Sequence, residues 1–119
     1  MLSFQKDFVP LHPVFTYKEM KVTIQENEKV MVAVLEGRLD TAAAPMAEQA
    51  MKPLYDADGR DIVFDCNALD YISSSGLRIL LSVLKAAKPK GSSVAITGIN
   101  DDLRQVFAMT GFTNLFEFR

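Results

Sequence analysis

The residues best suited to chemistry in this sequence form the run Ser73-Ser74-Ser75-Gly76, at the start of a predicted helix. The first turn of a helix leaves backbone N–H groups without intrahelical partners and carries partial positive charge, so it favours an anion such as a phosphoryl group. A serine hydroxyl there can act as a helix cap or as a phosphoacceptor. Phosphorylation would add roughly −1.5 to −2 charges, about doubling the negative charge of a chain whose formal charge is −2. Capping explains the spacing fully, so the residues alone leave both roles open.

The other chemically capable side chains lack the partners that catalysis or metal binding requires. His12 is the only histidine, so a histidine triad or a multi-histidine metal site has no second member. Cys66 is the last residue of a predicted buried strand, where we expect it to pack as a small apolar side chain. Asp65 and Asp70 bracket a loop and could form a receiver-like Mg²⁺ pocket with phosphoacceptor chemistry, although solvated carboxylates are the simpler interpretation. Because glycine-rich phosphate loops are also absent, we expect no enzyme activity, cofactor or metal.

The elements that position the serines follow from the spacing of apolar residues. Strands are predicted as a hairpin at 20–25 and 30–36, then at 62–64 with an extension to Cys66, at 94–96 and at 115–118. The continuous apolar run over 30–36 indicates a strand covered on both faces. Helices are predicted from Pro45 to near Pro53, over 77–87, and from the cap Asn100 to Gly111. The order β-β-α-β-α-β-α-β predicts one α/β domain with a mixed, mostly parallel sheet packed with α-helices.

Residues 1–19 are predicted to be an extension that precedes a domain at 20–119. This segment carries Phe4, Phe8, Phe15 and Tyr17 among two prolines, without a clean period. It can pack across a sheet edge or be held by another subunit, so a homo-oligomer stays open.

Composition excludes several classes of protein. A chain of 119 residues fits one compact domain, and a formal charge of −2 argues against binding a nucleic acid backbone. Since no run of about 18 apolar residues occurs, membrane insertion is not expected. The single cysteine suits a reducing, cytoplasmic environment.

Two stretches resemble the STAS domain of bacterial anti-sigma factor antagonists. They are LDYISSSGLRILLSVLKAAKPKGSSVAITGINDDLRQVFAMTGF, residues 69–112, and GRLDTAAAP, residues 37–45. The resemblance runs from about Met20 to the C-terminus. It implies a partner switch, in which an anti-sigma factor that is a serine protein kinase binds the unphosphorylated antagonist and releases it after phosphorylation, and a serine phosphatase restores it.

The same resemblance implies which residues act. The family's phosphoacceptor stands two places before the glycine, where this chain has Ser74. Ser73 replaces a frequent aspartate and is the alternative acceptor. Asp40 matches the aspartate of the family's GxLD segment, and together with Ser73, Ser75 and Gly76 it is predicted to bind the partner. The runner-up interpretation is a constitutive STAS scaffold, for instance an accessory subunit of a lipid-transport ABC system, in which the serines are only caps.

Overall fold

Six strands form one sheet in the computed structural model, which describes residues 14–111 and 114–119. In chain order, which is also the order across the sheet, they are β1 Phe15–Tyr17, β2 Met20–Glu26, β3 Val30–Leu39, β4 Asp61–Ile72, β5 Val94–Thr97 and β6 Glu117–Phe118. The pairs β1–β2 and β2–β3 are antiparallel, whereas β3 to β6 pair in parallel. The predicted α/β domain with a mixed, mostly parallel sheet is confirmed.

Three α-helices connect these strands within the described residues. They are α1 Ala44–Ala50, α2 Ser74–Ala87 and α3 Asp101–Met109, with short 3₁₀ helices at Lys52–Asp56 and Lys88–Lys90. Pro45 lies in the first turn of α1, as predicted. The Asn100 side chain caps α3 by accepting a hydrogen bond from the Leu103 N–H at 2.8 Å. Gly111 follows that helix with a φ of +79°, the left-handed conformation predicted for it. None of these helices combines the length and apolar content needed to cross a membrane.

Burial alternates along β2, β3 and the first half of β4, so this part of the sheet has one fully buried face, whereas the first three residues of β5 are all buried. In β3, the side chains of Met31, Ala33 and Leu35 are at most 1% exposed. The valines between them are only half-buried. The prediction that residues 30–36 are covered on both faces is therefore wrong. Apolar residues of all three helices join the buried face in one core, which includes Ala47, Leu80 and Phe107.

The sheet begins earlier than the sequence predicts. Strand β1 lies inside the segment 1–19, for which no regular structure is predicted, and it adds a strand before the expected order. It turns into β2 through Lys18, whose φ of +51° is unusual for a residue other than glycine. Phe4, Phe8 and His12 lie outside the described residues. The domain boundary at residue 20 stays a prediction.

Several element boundaries also differ from those predicted. β3, predicted over 30–36, runs to Leu39. β4 runs to Ile72, six residues beyond its predicted end at Cys66. Helix α2 begins at Ser74 rather than at Leu77. The last strand is limited to Glu117–Phe118. Because β4 ends at Ile72 and α2 begins at Ser74, a single residue, Ser73, joins them.

Candidate functional site

The candidate site lies where β3 and β4 end, at the carboxyl edge of the parallel part of the sheet. The Ser73 N–H donates to the Leu39 carbonyl oxygen at 2.9 Å, which ties the start of α2 to the end of β3. Asp40, the next residue, is half-buried, and its Oδ1 accepts a hydrogen bond from the Ala43 N–H at 2.9 Å. Asp40 thus organises the turn into α1 beside the serine run. Its predicted contact with a partner stays a prediction.

Ser73 is the N-cap of α2. Its backbone is extended, with φ −89° and ψ 172°, and its Oγ accepts a hydrogen bond from the Gly76 N–H at 3.2 Å. The residue is only 8% exposed. Ser73 therefore satisfies one of the backbone donors that a helix start leaves unpaired.

Ser74 is the first residue of α2, and its side chain is exposed. No hydrogen bond to its hydroxyl occurs within the described residues. Ser75 is half-buried on the next position of the helix. Ser73 and Ser74 thus differ: Ser73 is buried and caps the helix, whereas Ser74 is exposed and its hydroxyl can be approached from solvent.

Gly76 is buried in the first turn of α2 because two side chains occupy the space next to it. A Cβ at this position would lie 2.8 Å from both Ile72 Cγ1 and Leu39 Cγ, closer than carbon atoms pack. The glycine therefore lets the helix approach the ends of β3 and β4. This close packing explains why position 76 holds a residue without a Cβ.

A groove of about 350 Å³ lies between α1 and α2, next to the serine run. Its lining residues are Thr41, Ala44, Pro45, Glu48, Ser75, Arg78, Ile79 and Ser82. Glu48 on α1 and Arg78 on α2 are both exposed. Neither residue is singled out by sequence patterns, because the groove exists only once the two helices pack.

Cys66 and Asp65, two of the remaining candidate residues, have local structural roles. Cys66 is 1% exposed, and burial, reinforced by the charge of Asp65, raises the pKa of its thiol to about 12. Asp65 Oδ1 accepts hydrogen bonds from the backbone and the side-chain amide of Asn67, at 3.1 and 2.7 Å. Asp70 is exposed in β4. Residues 14–111 and 114–119 contain no group of three or more acidic, cysteine or histidine side chains able to hold a metal ion.

The sequence of this chain matches one protein family and is similar to known members of it. The model of the STAS domain family matches residues 21–119. The chain is similar to BtrV of Bordetella bronchiseptica, a candidate anti-sigma factor antagonist, with 32% identity over 82% of this chain and 84% of the relative. It is also similar to the anti-sigma-B factor antagonist of Bacillus subtilis, with 24% identity over 82% of this chain and 89% of that protein.

Solved structures share the fold. The unphosphorylated form of the anti-sigma factor antagonist SpoIIAA superposes with a TM-score of 0.70 over 82% of this chain and 87% of its own, at 16% identity. The phosphorylated form of Bacillus SpoIIAA gives a TM-score of 0.64 over 82% and 90% of the two chains, also at 16% identity.

Proposed function

This chain belongs to the STAS domain family, and from that premise we propose that it is an anti-sigma factor antagonist controlled by phosphorylation of Ser74. The unphosphorylated protein binds an anti-sigma factor that is also a serine protein kinase, and phosphorylation releases it. A serine phosphatase restores the binding form. The module itself catalyses nothing and acts in the cytoplasm.

One observation carries the choice of Ser74. Its hydroxyl is exposed at the first position of α2, whereas the hydroxyl of Ser73 is buried and accepts a hydrogen bond from the Gly76 N–H. A kinase must bring the attacking oxygen in line with the γ-phosphorus of ATP, which requires an accessible hydroxyl. Modification of Ser73 would first require loss of the helix cap.

The chemistry belongs to the partners. In the forward step a bond forms between Ser74 Oγ and the γ-phosphorus of ATP, the bond from that phosphorus to the bridging oxygen breaks, and the hydroxyl proton leaves with a base of the kinase. ADP departs. The phosphatase transfers the same phosphoryl group to water, which regenerates the hydroxyl and releases inorganic phosphate.

The surroundings of Ser74 support the proposal that phosphorylation releases the partner. Ser75 and the turn that begins at Asp40 lie next to it, while Ser73 and Gly76 are buried and support this edge from below. A phosphoryl group adds roughly −1.5 to −2 charges and three acceptor oxygens at the centre of this surface. A partner that packs against a neutral hydroxyl then meets a hydrated dianion, and the complex dissociates.

Phosphosite mapping tests the proposal. Purified protein is incubated with ATP and a serine protein kinase of the anti-sigma factor class, and the product is mapped by mass spectrometry. We expect phosphate on Ser74 alone and none in Ser74→Ala. Incorporation on Ser73, or none by a kinase proven active on another substrate, contradicts the proposal.

Binding measurements separate this function from a constitutive scaffold. Ser74→Ala should bind the kinase as the wild type does, and Ser74→Asp should bind at least about tenfold more weakly, a loss of ~1.4 kcal/mol. Gln105→Glu is the matched control, because it adds the same charge at an exposed position of α3 that does not line the groove. Equal affinities for all three variants would favour the scaffold.

A further inference from the structure

Arg78 is the only cation among the described residues that line the groove between α1 and α2. Its side chain is exposed, and none of the salt bridges in residues 14–111 and 114–119 includes it. Other arginines are already engaged. The guanidinium of Arg38 stacks 4.5 Å from the ring centre of Tyr71, and Arg60 contacts Glu26 at 2.6 Å. The guanidinium of Arg78 is therefore available to pair with an anion that is added to the protein after folding, such as a phosphoryl group.

The position of Arg78 on α2 directs that charge toward Ser74. Residues four apart on a helix are neighbours on its surface, with about 5–6 Å between their Cβ atoms. Side chains in a helix also lean toward its N-terminus, so the arginine covers the turn that precedes its own Cα. That turn begins at Ser74. An anion four residues before a cation is the more favourable of the two orders, because it also complements the helix dipole.

We propose that Arg78 is the counter-ion of phosphorylated Ser74. The inference rests on the proposed function, since it concerns the state that modification of Ser74 creates. The planar guanidinium can donate two parallel hydrogen bonds to two phosphate oxygens, a geometry that a lysine ammonium does not reproduce.

This pairing gives phosphorylation a second effect on the docking surface. In the unmodified protein Arg78 lines the groove opposite Glu48. When the guanidinium turns to the phosphate, its charge no longer faces the groove. A partner that uses this groove thus meets a new dianion and loses a cation in the same event.

The pKa of the phosphate measures this pairing without any partner. The full chain is produced with phosphoserine inserted at position 74 during translation, and its second pKa, ordinarily near 6, is followed by phosphorus NMR. Arg78 stabilises the dianion, so Arg78→Gln should raise this pKa by roughly 0.3–0.7. Arg78→Lys should give an intermediate value. Arg38→Gln is the control, since it removes a cation that is stacked on Tyr71 near the same edge of the sheet.

The outcomes are distinct. Equal phosphate pKa values in the wild type and in Arg78→Gln overturn the inference, and so does a rise that appears only in Arg38→Gln. Thermal melting of the unphosphorylated variants shows whether the fold is retained, and we expect no change for the exposed Arg78. Because translation rather than a kinase installs the phosphate, a failure of the proposed function leaves this test intact.

Discussion

Replacement of Ser73 and of Ser74 by alanine should have opposite consequences for stability and regulation. Ser73→Ala removes the hydroxyl that accepts the Gly76 N–H at 3.2 Å. Loss of a serine cap typically costs about 1 kcal/mol, and a backbone N–H left unpaired in a buried place adds to it. We expect Ser73→Ala to lower the free energy of unfolding by about 1–2 kcal/mol.

Ser74→Ala should change that free energy by less than about 0.5 kcal/mol, because the side chain is exposed. Alanine is also the best helix former, which offsets any small loss at this position. The same substitution should abolish phosphorylation, whereas Ser73→Ala should still be phosphorylated on Ser74. Stability and modification would thereby be assigned to different hydroxyls of one turn.

Urea unfolding followed by circular dichroism measures both free energies, and calorimetry provides a second reading. For a domain of this size a loss of 1–2 kcal/mol corresponds to a fall in Tm of roughly 4–8 °C. Ser73→Asp is the control, since aspartate is an equally good cap and should retain most of the stability. The reasoning is refuted when Ser73→Ala unfolds like the wild type, or when Ser74→Ala loses as much stability as Ser73→Ala.

Three further predictions test the packing and electrostatics of the fold. Gly76→Ala should destabilise the domain by about 1–3 kcal/mol in urea unfolding, because its Cβ meets buried side chains at 2.8 Å. Arg60→Met should lower the free energy of unfolding by about 1–2 kcal/mol, since it breaks the partly buried contact of 2.6 Å with Glu26. Arg119→Met removes an exposed ion pair and should leave the free energy of unfolding nearly unchanged. The thiol of Cys66, with its pKa raised to about 12, should react with a thiol reagent at pH 8 at least roughly 10³-fold more slowly in the folded chain than in urea. Equal rates in both states would contradict this burial.

The core elements could be predicted because their signals are local. Alternation in β2 and the polar cap Asn100 each depend on neighbours a few residues away. The late part of β4 has no such signal, because its pairing with β3 shifts register between Val34 and Glu36 and again between Gly37 and Arg38. Such irregularities interrupt the period of two on which a strand prediction depends. The predicted strand therefore ends at Cys66, whereas the observed strand continues to Ile72.

The site was only partly accessible to sequence reasoning for a related reason. Ser74 stands two places before a glycine in a recognisable run, so a resemblance to a family could single it out. The roles of Ser73 and Gly76 depend on burial and on the ends of β3 and β4, which are distant in sequence. Glu48 and Arg78 lie on different helices and face one groove only after these helices pack. Contacts between residues that are distant in sequence do not produce a local periodic pattern from which they could be predicted.

The separation of the two serines has a consequence for how a switch of this kind can work. If one hydroxyl both capped α2 and accepted phosphate, modification would disturb the helix start, and regulation would be coupled to partial unfolding. Here Ser73 caps the helix from a buried position, which leaves Ser74 without a structural duty in the described residues. Negative charge at the first position of a helix is favourable by roughly 0.3–1 kcal/mol. We therefore expect phosphorylated Ser74 to leave α2 intact or slightly more stable, so that the added charge acts on docking alone.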